Sequence, residues 1–164
     1  MGIMFNADEI FEMAEEIERN GARFYRKAAE GTAKPVSKNL LLTLAAMEDK
    51  HLQVFTEMRE ELHRQKQAPD MFDPDKEAVE YLHEFAHGRV FDVKDDPSRR
   101  LTGKETFSEV LTVALQLEKD SIIFYLGLKE LVPERLGQDR VRGIIKQEMT
   151  HVTLISRELA AAKA

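Results

Sequence analysis

Two Glu-x-x-His motifs, 100 residues apart, constrain this chain more than any other feature of its sequence. The first runs from Glu48 to His51 and the second from Glu148 to His151. Residues three apart on an α-helix lie on one face, so each motif presents a carboxylate and an imidazole together. The repeat therefore predicts two helices that each offer a pair of metal ligands.

The 100-residue offset extends beyond the two motifs. Glu18 in the stretch EIERNGARFY corresponds to Glu118 in QLEKDSIIFY. The other matched pairs are Ile17/Leu117, Phe24/Phe124, Tyr25/Tyr125 and Glu30/Glu130. We therefore interpret the chain as two copies of one helical hairpin.

Apolar residues recur at the 3.6-residue spacing of amphipathic helices in four segments. These segments cover about residues 8–30, 37–65, 107–131 and 139–161. Asn6 and Thr106 are each followed three residues later by Glu, which is the spacing of a capping box at a helix start. Gly31 and Pro35 are expected to end the first helix, and no segment has the pattern of a strand.

A connection of about 38 residues, from 66 to 103, separates the two hairpins. Prolines bracket a short helical stretch within it, KEAVEYLHEFAHGRVF. A connection of this length can run along the whole bundle, which would make the second and third helices parallel. The sequence thus predicts an all-α, ferritin-like four-helix bundle, made of two repeated hairpins and a long crossover, as a single domain over residues 1–164.

Four Glu and two His fall within the apolar stripes of these helices. An unpaired buried carboxylate is costly, and metal cations would compensate for it. The predicted ligands are Glu18, Glu48, His51, Glu118, Glu148 and His151. Four carboxylates balance the charge of two divalent ions, and the oxygen and imidazole donors suit iron or manganese, with adventitious zinc also open. Glu18 and Glu118 are expected to be terminal ligands, while Glu48 and Glu148 bridge or chelate.

Other residues near the predicted ligands allow two interpretations each. Gly21 and Ser121 could leave space for a small oxidant beside the metals, or could allow close helix packing. Tyr25 and Tyr125 could donate hydrogen bonds to ligating carboxylates, or could be aromatic residues of the core. His83 and His87 could bind another ion, although a solvated surface pair is favoured, and the same surface interpretation applies to His63.

At these motifs the chain resembles the rubrerythrin family of ferritin-like di-iron proteins, over about residues 7–64 and 105–160. The resemblance implies a pair of iron ions that oxidises Fe(II) with O₂ or reduces hydrogen peroxide, often in a homodimer. Rubrerythrins also carry a rubredoxin-like iron domain with four Cys, and this chain has no Cys. They typically place an extra Glu where this sequence has Ser121. Turnover would therefore need an external electron donor.

Composition narrows the remaining possibilities. The formal net charge is −6, the isoelectric point is near 5.5, and no Lys/Arg block stands apart from acidic residues, which argues against nucleic-acid binding. The absence of Cys excludes disulfides, zinc-thiolate sites, iron–sulfur clusters and thiol catalysis. The N-terminal sequence lacks the pattern of a signal peptide and no apolar run could span a bilayer, so the cytoplasm is the expected location. Two alternatives to an oxidoreductase stay open, which are iron handling without turnover and a metal-stabilised structural bundle.

Overall fold

The computed structural model describes residues 7–64, 76–88 and 92–163, and these residues form five α-helices with no strand among them. The helices are α1 (Ala7–Glu30), α2 (Pro35–Arg64), α3 (Glu77–Ala86), α4 (Phe107–Leu131) and α5 (Gln138–Lys163). Short 3₁₀ helices cover Pro97–Arg100 and Glu134–Leu136. The all-α prediction is confirmed, with four long helices and one short helix in the connection.

The helix starts follow local sequence signals. Thr106 caps α4, because its hydroxyl accepts from the Glu109 amide at 3.2 Å while the Glu109 carboxylate accepts from the Thr106 amide at 2.7 Å. The corresponding cap predicted at Asn6 lies outside the described residues. The role predicted for Pro35 was wrong, since Pro35 is the first residue of α2. Proline is favoured there because the first helical amide needs no partner within the helix.

Hydrogen bonds between the helices define the topology. Tyr25 of α1 donates to Glu118 of α4, and Tyr125 of α4 donates to Glu18 of α1, so α1 and α4 are antiparallel. Within the first hairpin, Arg59 of α2 donates to Asp8 near the start of α1 at 2.6 Å, so α1 and α2 are also antiparallel. It follows that α2 and α4 are parallel, which confirms the crossover after the second helix.

The buried apolar residues form two clusters at different heights in the bundle. One contains Ile10, Phe55, Phe124 and Val141 among others, and the second contains Phe24, Leu44, Leu111 and Ile155 among others. The predicted ligands of all four long helices fall between these positions in sequence, and hence form one layer between two apolar ones. None of the described helices combines the length and apolarity that crossing a bilayer requires.

The crossover is held against α4 by its short helix. A Cβ atom at Gly127 of α4 would lie 2.6 Å from Cδ1 of Tyr81 in α3, so only glycine allows this close approach. The Tyr81 hydroxyl then donates to the Ile123 carbonyl at 2.7 Å. Further along, Asn20 of α1 donates to the Val93 carbonyl at 2.9 Å, which fixes the start of the segment 92–100 beside the ligand layer.

Candidate metal centre

The structure brings all six predicted ligands together in the middle of the bundle. Two groups of four residues each place one candidate ligand atom per residue within 4.8 Å of the others. The first group is Glu18, Glu48, His51 and Glu148, and the second is Glu48, Glu118, Glu148 and His151. Glu48 and Glu148 belong to both groups, as bridging carboxylates between two ions would. All six side chains are buried.

The imidazoles point Nδ1 toward the carboxylates. Nδ1 of His51 lies 2.8 Å from Oε1 of Glu148 and 3.5 Å from Oε2 of Glu18. Nδ1 of His151 lies 3.1 Å from Oε2 of Glu148, and it also lies 3.3 Å from both Glu48 and Glu118. Each imidazole therefore converges with carboxylates from both hairpins on one of the two candidate ion positions.

Several polar atoms of this cluster have no hydrogen-bond partner. They are Oε2 of Glu18, Oε1 of Glu48, Nδ1 of His51, both carboxylate oxygens of Glu148 and Nε2 of His151. Buried polar atoms are nearly always satisfied in native proteins, so this concentration of unsatisfied ligand atoms in one layer calls for a bound cation.

Glu15 provides an internal comparison for these carboxylates. It is also buried, but it pairs with Arg19 at 2.8 Å and with Arg59 at 3.2 Å. Among the described residues, no Lys or Arg pairs with any of the four carboxylates of the cluster. The residues present thus fit a pair of metal ions, since metal would supply the positive charge that arginine supplies to Glu15.

Without metal, the pKa values of the carboxylates in the cluster are shifted far from their usual values. Burial, followed by repulsion from Glu48, raises the pKa values of Glu18 and Glu118 well above the usual range. Burial also tends to raise the pKa of Glu148, but the close imidazoles of His151 and His51 outweigh it and leave the pKa below its usual value. Without metal, the cluster therefore holds protons that metal binding must release.

The two imidazoles take up protons for the same reason. Burial alone lowers the pKa of His51, yet the close carboxylates of Glu148 and Glu18 raise it to about 11. Burial likewise lowers the pKa of His151, and its carboxylate contacts, led by Glu118, raise it to about 12. Surrounding carboxylates thus attract a positive charge to the position of each ring.

Tyr25 and Tyr125 contact the cluster crosswise. Each hydroxyl donates to the carboxylate contributed by the opposite hairpin, with Tyr25 on Oε1 of Glu118 and Tyr125 on Oε1 of Glu18. Of the two interpretations of these tyrosines, the hydrogen-bonding one is correct. Since each tyrosine occupies one oxygen of its Glu, the second oxygen is left to face the candidate metal position.

Gln147 is a contact that sequence analysis missed. Its Oε1 lies 3.0 Å from Nε2 of His51. Nε2 is therefore assigned the proton in this pair, which leaves Nδ1 to face the carboxylates. The corresponding residue of the first hairpin is Met47, and Nε2 of His151 has no partner. The internal repeat could have revealed this difference, because Gln147 and Met47 are among the positions where the two hairpins differ.

The two small residues beside the ligands have different neighbours. A Cβ at Gly21 would lie 3.3 Å from both Cγ and Oε2 of Glu48, so glycine leaves room for that side chain. The Ser121 hydroxyl donates to the Leu117 carbonyl at 2.9 Å, within its own helix. Both residues also line a cavity beside the cluster, so the predicted space is present together with close packing.

The remaining histidines do not join the cluster. The rings of His83 and His87 lie 4.0 Å apart, and Nδ1 of His87 lies 2.9 Å from the His83 carbonyl oxygen. Neither belongs to a metal-type group among the described residues. Nε2 of His63 lies 2.5 Å from Oδ1 of Asp8, which supports its surface interpretation.

Comparison with known proteins supports the fold and the type of site. No protein-family model and no curated protein sequence matches this chain. A solved structure from Thermotoga maritima, provisionally described as a ferritin-like diiron-carboxylate protein, matches at 26% identity with a TM-score of 0.66. The match covers 98% of each chain. The fold is a ferritin-like helical bundle.

The neighbour and the buried cluster together indicate a metal site, and iron is the metal that they favour. The donor set agrees with this assignment. Carboxylate oxygens and imidazole nitrogens suit iron, whereas a thiolate-preferring metal would find no Cys in the chain.

Proposed function

We propose that this protein is a rubrerythrin-like di-iron oxidoreductase, which oxidises Fe(II) with O₂ or reduces hydrogen peroxide. The observation that supports this most is the set of unsatisfied ligand atoms in the buried layer of four Glu and two His. A site that only stabilised the fold would not need this layout, in which two groups of ligands share Glu48 and Glu148. That sharing suits two ions that act together.

When bound, the iron pair supplies the two electrons that reduction of peroxide requires. The side chains bind and orient the iron. Glu18 with His51 and Glu118 with His151 would hold one ion each, and Glu48 with Glu148 would contact both. Tyr25 keeps one oxygen of Glu118 turned away from the ions, and Tyr125 does the same for one oxygen of Glu18. The two apolar clusters exclude water from the layer along the bundle axis.

The electron source is part of the proposal. The chain has no Cys, and hence no iron–sulfur or rubredoxin-like centre of its own, so an external donor must reduce the centre between turnovers. By the resemblance to rubrerythrins, we propose a homodimer as its working form, and we propose the cytoplasm as its location. These two points rest on the sequence alone.

Iron handling without turnover is the second candidate, and its support is the missing Glu at Ser121. Rubrerythrins typically carry a carboxylate there, and here the Ser121 hydroxyl bonds to its own helix instead. A centre that lacks this carboxylate could load and release iron after a single oxidation.

Peroxide consumption under anaerobic conditions tests the two candidates. The Fe(II)-loaded protein is mixed with excess peroxide and an excess chemical reductant, and peroxide is followed over many equivalents. Continued consumption supports the oxidoreductase, while one stoichiometric oxidation followed by iron loss supports iron handling. The control is the double variant Glu48→Ala, Glu148→Ala, which removes both shared carboxylates and should consume peroxide no faster than free iron does.

A further inference from the structure

A cavity of about 470 Å³ lies beside the ligand layer, between α1, α4 and the segment 92–100. Its wall includes the carboxylate residues Glu48 and Glu118, together with Gly21, Ser121 and Thr112. The other four ligands do not line it. Glu48 and Glu118 are also slightly exposed, at 4% and 3%, whereas Glu18 and Glu148 are completely buried. The ligand layer therefore meets this cavity through Glu48 and Glu118.

The cavity reaches one of the two candidate ion positions. Glu118 belongs only to the group that contains His151, whereas Glu18 belongs only to the group that contains His51. Glu48 is shared between the groups and does not distinguish them. The position between Glu118 and His151 thus adjoins the cavity, and the position between Glu18 and His51 lies behind it.

A second difference between the positions comes from the opposite side of the layer. Gln147 contacts Nε2 of His51 at 3.0 Å, so the ring of His51 is fixed in orientation and tautomer. Nε2 of His151 has no partner. A protein group therefore holds Nε2 of the imidazole at the enclosed position, and none holds Nε2 of the imidazole beside the cavity.

The charges along the cavity indicate which molecules it admits. Its lining carries the carboxylates of Asp92, Asp95 and Asp120 and a single cation, Arg100, which is already paired with Asp95. The net negative charge along this path would repel an anion, whereas it would not repel an uncharged molecule. Ile17, Leu117 and Val113 add apolar surface. Small uncharged molecules, such as O₂ and hydrogen peroxide, fit this lining.

We propose that the two metal positions are unequal, so that small uncharged ligands reach the metal at the Glu118–His151 position through this cavity while the Glu18–His51 position stays closed. The inference rests on the proposed metal centre, and it adds which ion meets the oxidant and by which route. The 100-residue repeat makes the ligands nearly equivalent, so this inequality comes from Gln147, which corresponds to Met47 in the first hairpin, and from the segment 92–100 beside the cavity.

Nitric oxide, an uncharged diatomic probe of Fe(II), tests which position is open. The variants His51→Ala and His151→Ala are each loaded with Fe(II) without oxygen, and nitric oxide binding is followed by stopped-flow absorption. The His51→Ala protein keeps all ligands of the open position and should bind the probe many-fold faster than the His151→Ala protein does. The His151→Ala protein keeps the closed position and should bind it many-fold more slowly. Equal rates in the two variants would overturn the proposal.

A matched pair of threonine variants tests the route without changing a ligand. Thr112 lines the cavity, whereas Thr43 lies on α2 away from it. Both residues are exposed, and each hydroxyl donates a hydrogen bond to the backbone carbonyl four residues earlier. Thr112→Trp should narrow the cavity and slow nitric oxide binding, whereas Thr43→Trp should leave the rate unchanged. Equal rates in these two proteins would also overturn the proposal. Failure of wild type to bind Fe(II) at all would instead refute the metal centre itself, so the two failures are distinguishable.

Discussion

Gln147 and His51 form a contact that breaks the internal symmetry of the ligand layer. Oε1 of Gln147 lies 3.0 Å from Nε2 of His51, and the equivalent atom of His151 has no partner. Partners of this kind hold a metal-binding ring in one orientation and one tautomer. The contact also joins the hairpins, because His51 lies on α2 and Gln147 on α5.

Gln147→Met should weaken metal binding at the position that contains His51. Loss of such a partner typically lowers metal affinity by about 10–100-fold. Gln147→Glu keeps an acceptor oxygen at the same place and should restore much of the affinity. The measurement is a calorimetric titration of Mn(II), which resolves tight and weak sites. Identical titrations for Gln147→Met and wild type would show that the contact does not support the ligand.

Tyr25→Phe should destabilise the apo protein, because it removes the donor to Glu118 and leaves another buried oxygen unsatisfied. The expected loss is about 1–3 kcal/mol in the free energy of unfolding, measured by urea denaturation. Tyr125→Phe should have a similar effect through Glu18. Tyr81→Phe is the control, since the Tyr81 hydroxyl bonds to the exposed Ile123 carbonyl and its loss should cost less. A Tyr25→Phe loss no larger than that of the control would contradict the role of the crosswise pair.

The hydrogen bonds of Tyr25 and Tyr125 show how much of the site could be predicted from the sequence. Spacing along α1 and α4 places Tyr25 and Tyr125 on the ligand face, and this was predictable. The partner of each tyrosine depends on how closely α1 approaches α4, which only packing between the hairpins decides. The helices, the crossover and the convergence of the six ligands followed from periodicity and from the repeat, because each is a local pattern or a consequence of one.

Gly21→Ala should lower metal affinity while changing stability little. A new Cβ would approach Cγ and Oε2 of Glu48 at 3.3 Å, so the shared carboxylate must shift by a few tenths of an ångström. Gly143→Ala in α5 is the matched control, since its Cβ would meet no described atom within 4 Å apart from its own stretch of helix. That control should gain up to about 1 kcal/mol of stability from helix propensity and keep wild-type metal affinity. Equal metal affinity for both variants would show that Gly21 does not position Glu48.

The cavity could not be predicted from the sequence, for a different reason. Its inner wall comes from α1 and α4, where the small residues Gly21 and Ser121 had already suggested space. Its outer wall comes from the segment 92–100, which the Asn20–Val93 hydrogen bond holds against α1, just as the Gly127–Tyr81 packing holds α3 against α4. No periodic pattern encodes such contacts, since each joins a loop or short helix to a distant part of the chain.

The pKa shifts of the ligands make the stability of the apo protein depend on pH. Glu18 and Glu118 have raised pKa values in the folded state, so their contribution to stability falls as pH rises above their usual pKa of 4.5. His51 and His151 are raised to about 11 and about 12, so their contribution is complete below 6.5 and falls above it. Glu148, with a lowered pKa, contributes above 4.5 and loses its contribution only in acid.

Metal should therefore stabilise the protein more at pH 7 than at pH 5. Binding replaces the protons held by the carboxylates and imidazoles, and proton competition weakens as pH rises. A ligand at a hundredfold excess over its Kd adds about 2.7 kcal/mol to the stability of the folded state. The measurement is calorimetric melting of apo and Mn(II)-loaded protein at both pH values. An equal or smaller shift in melting temperature at pH 7 would mean that metal does not displace these protons, and hence that it binds elsewhere than in the buried layer.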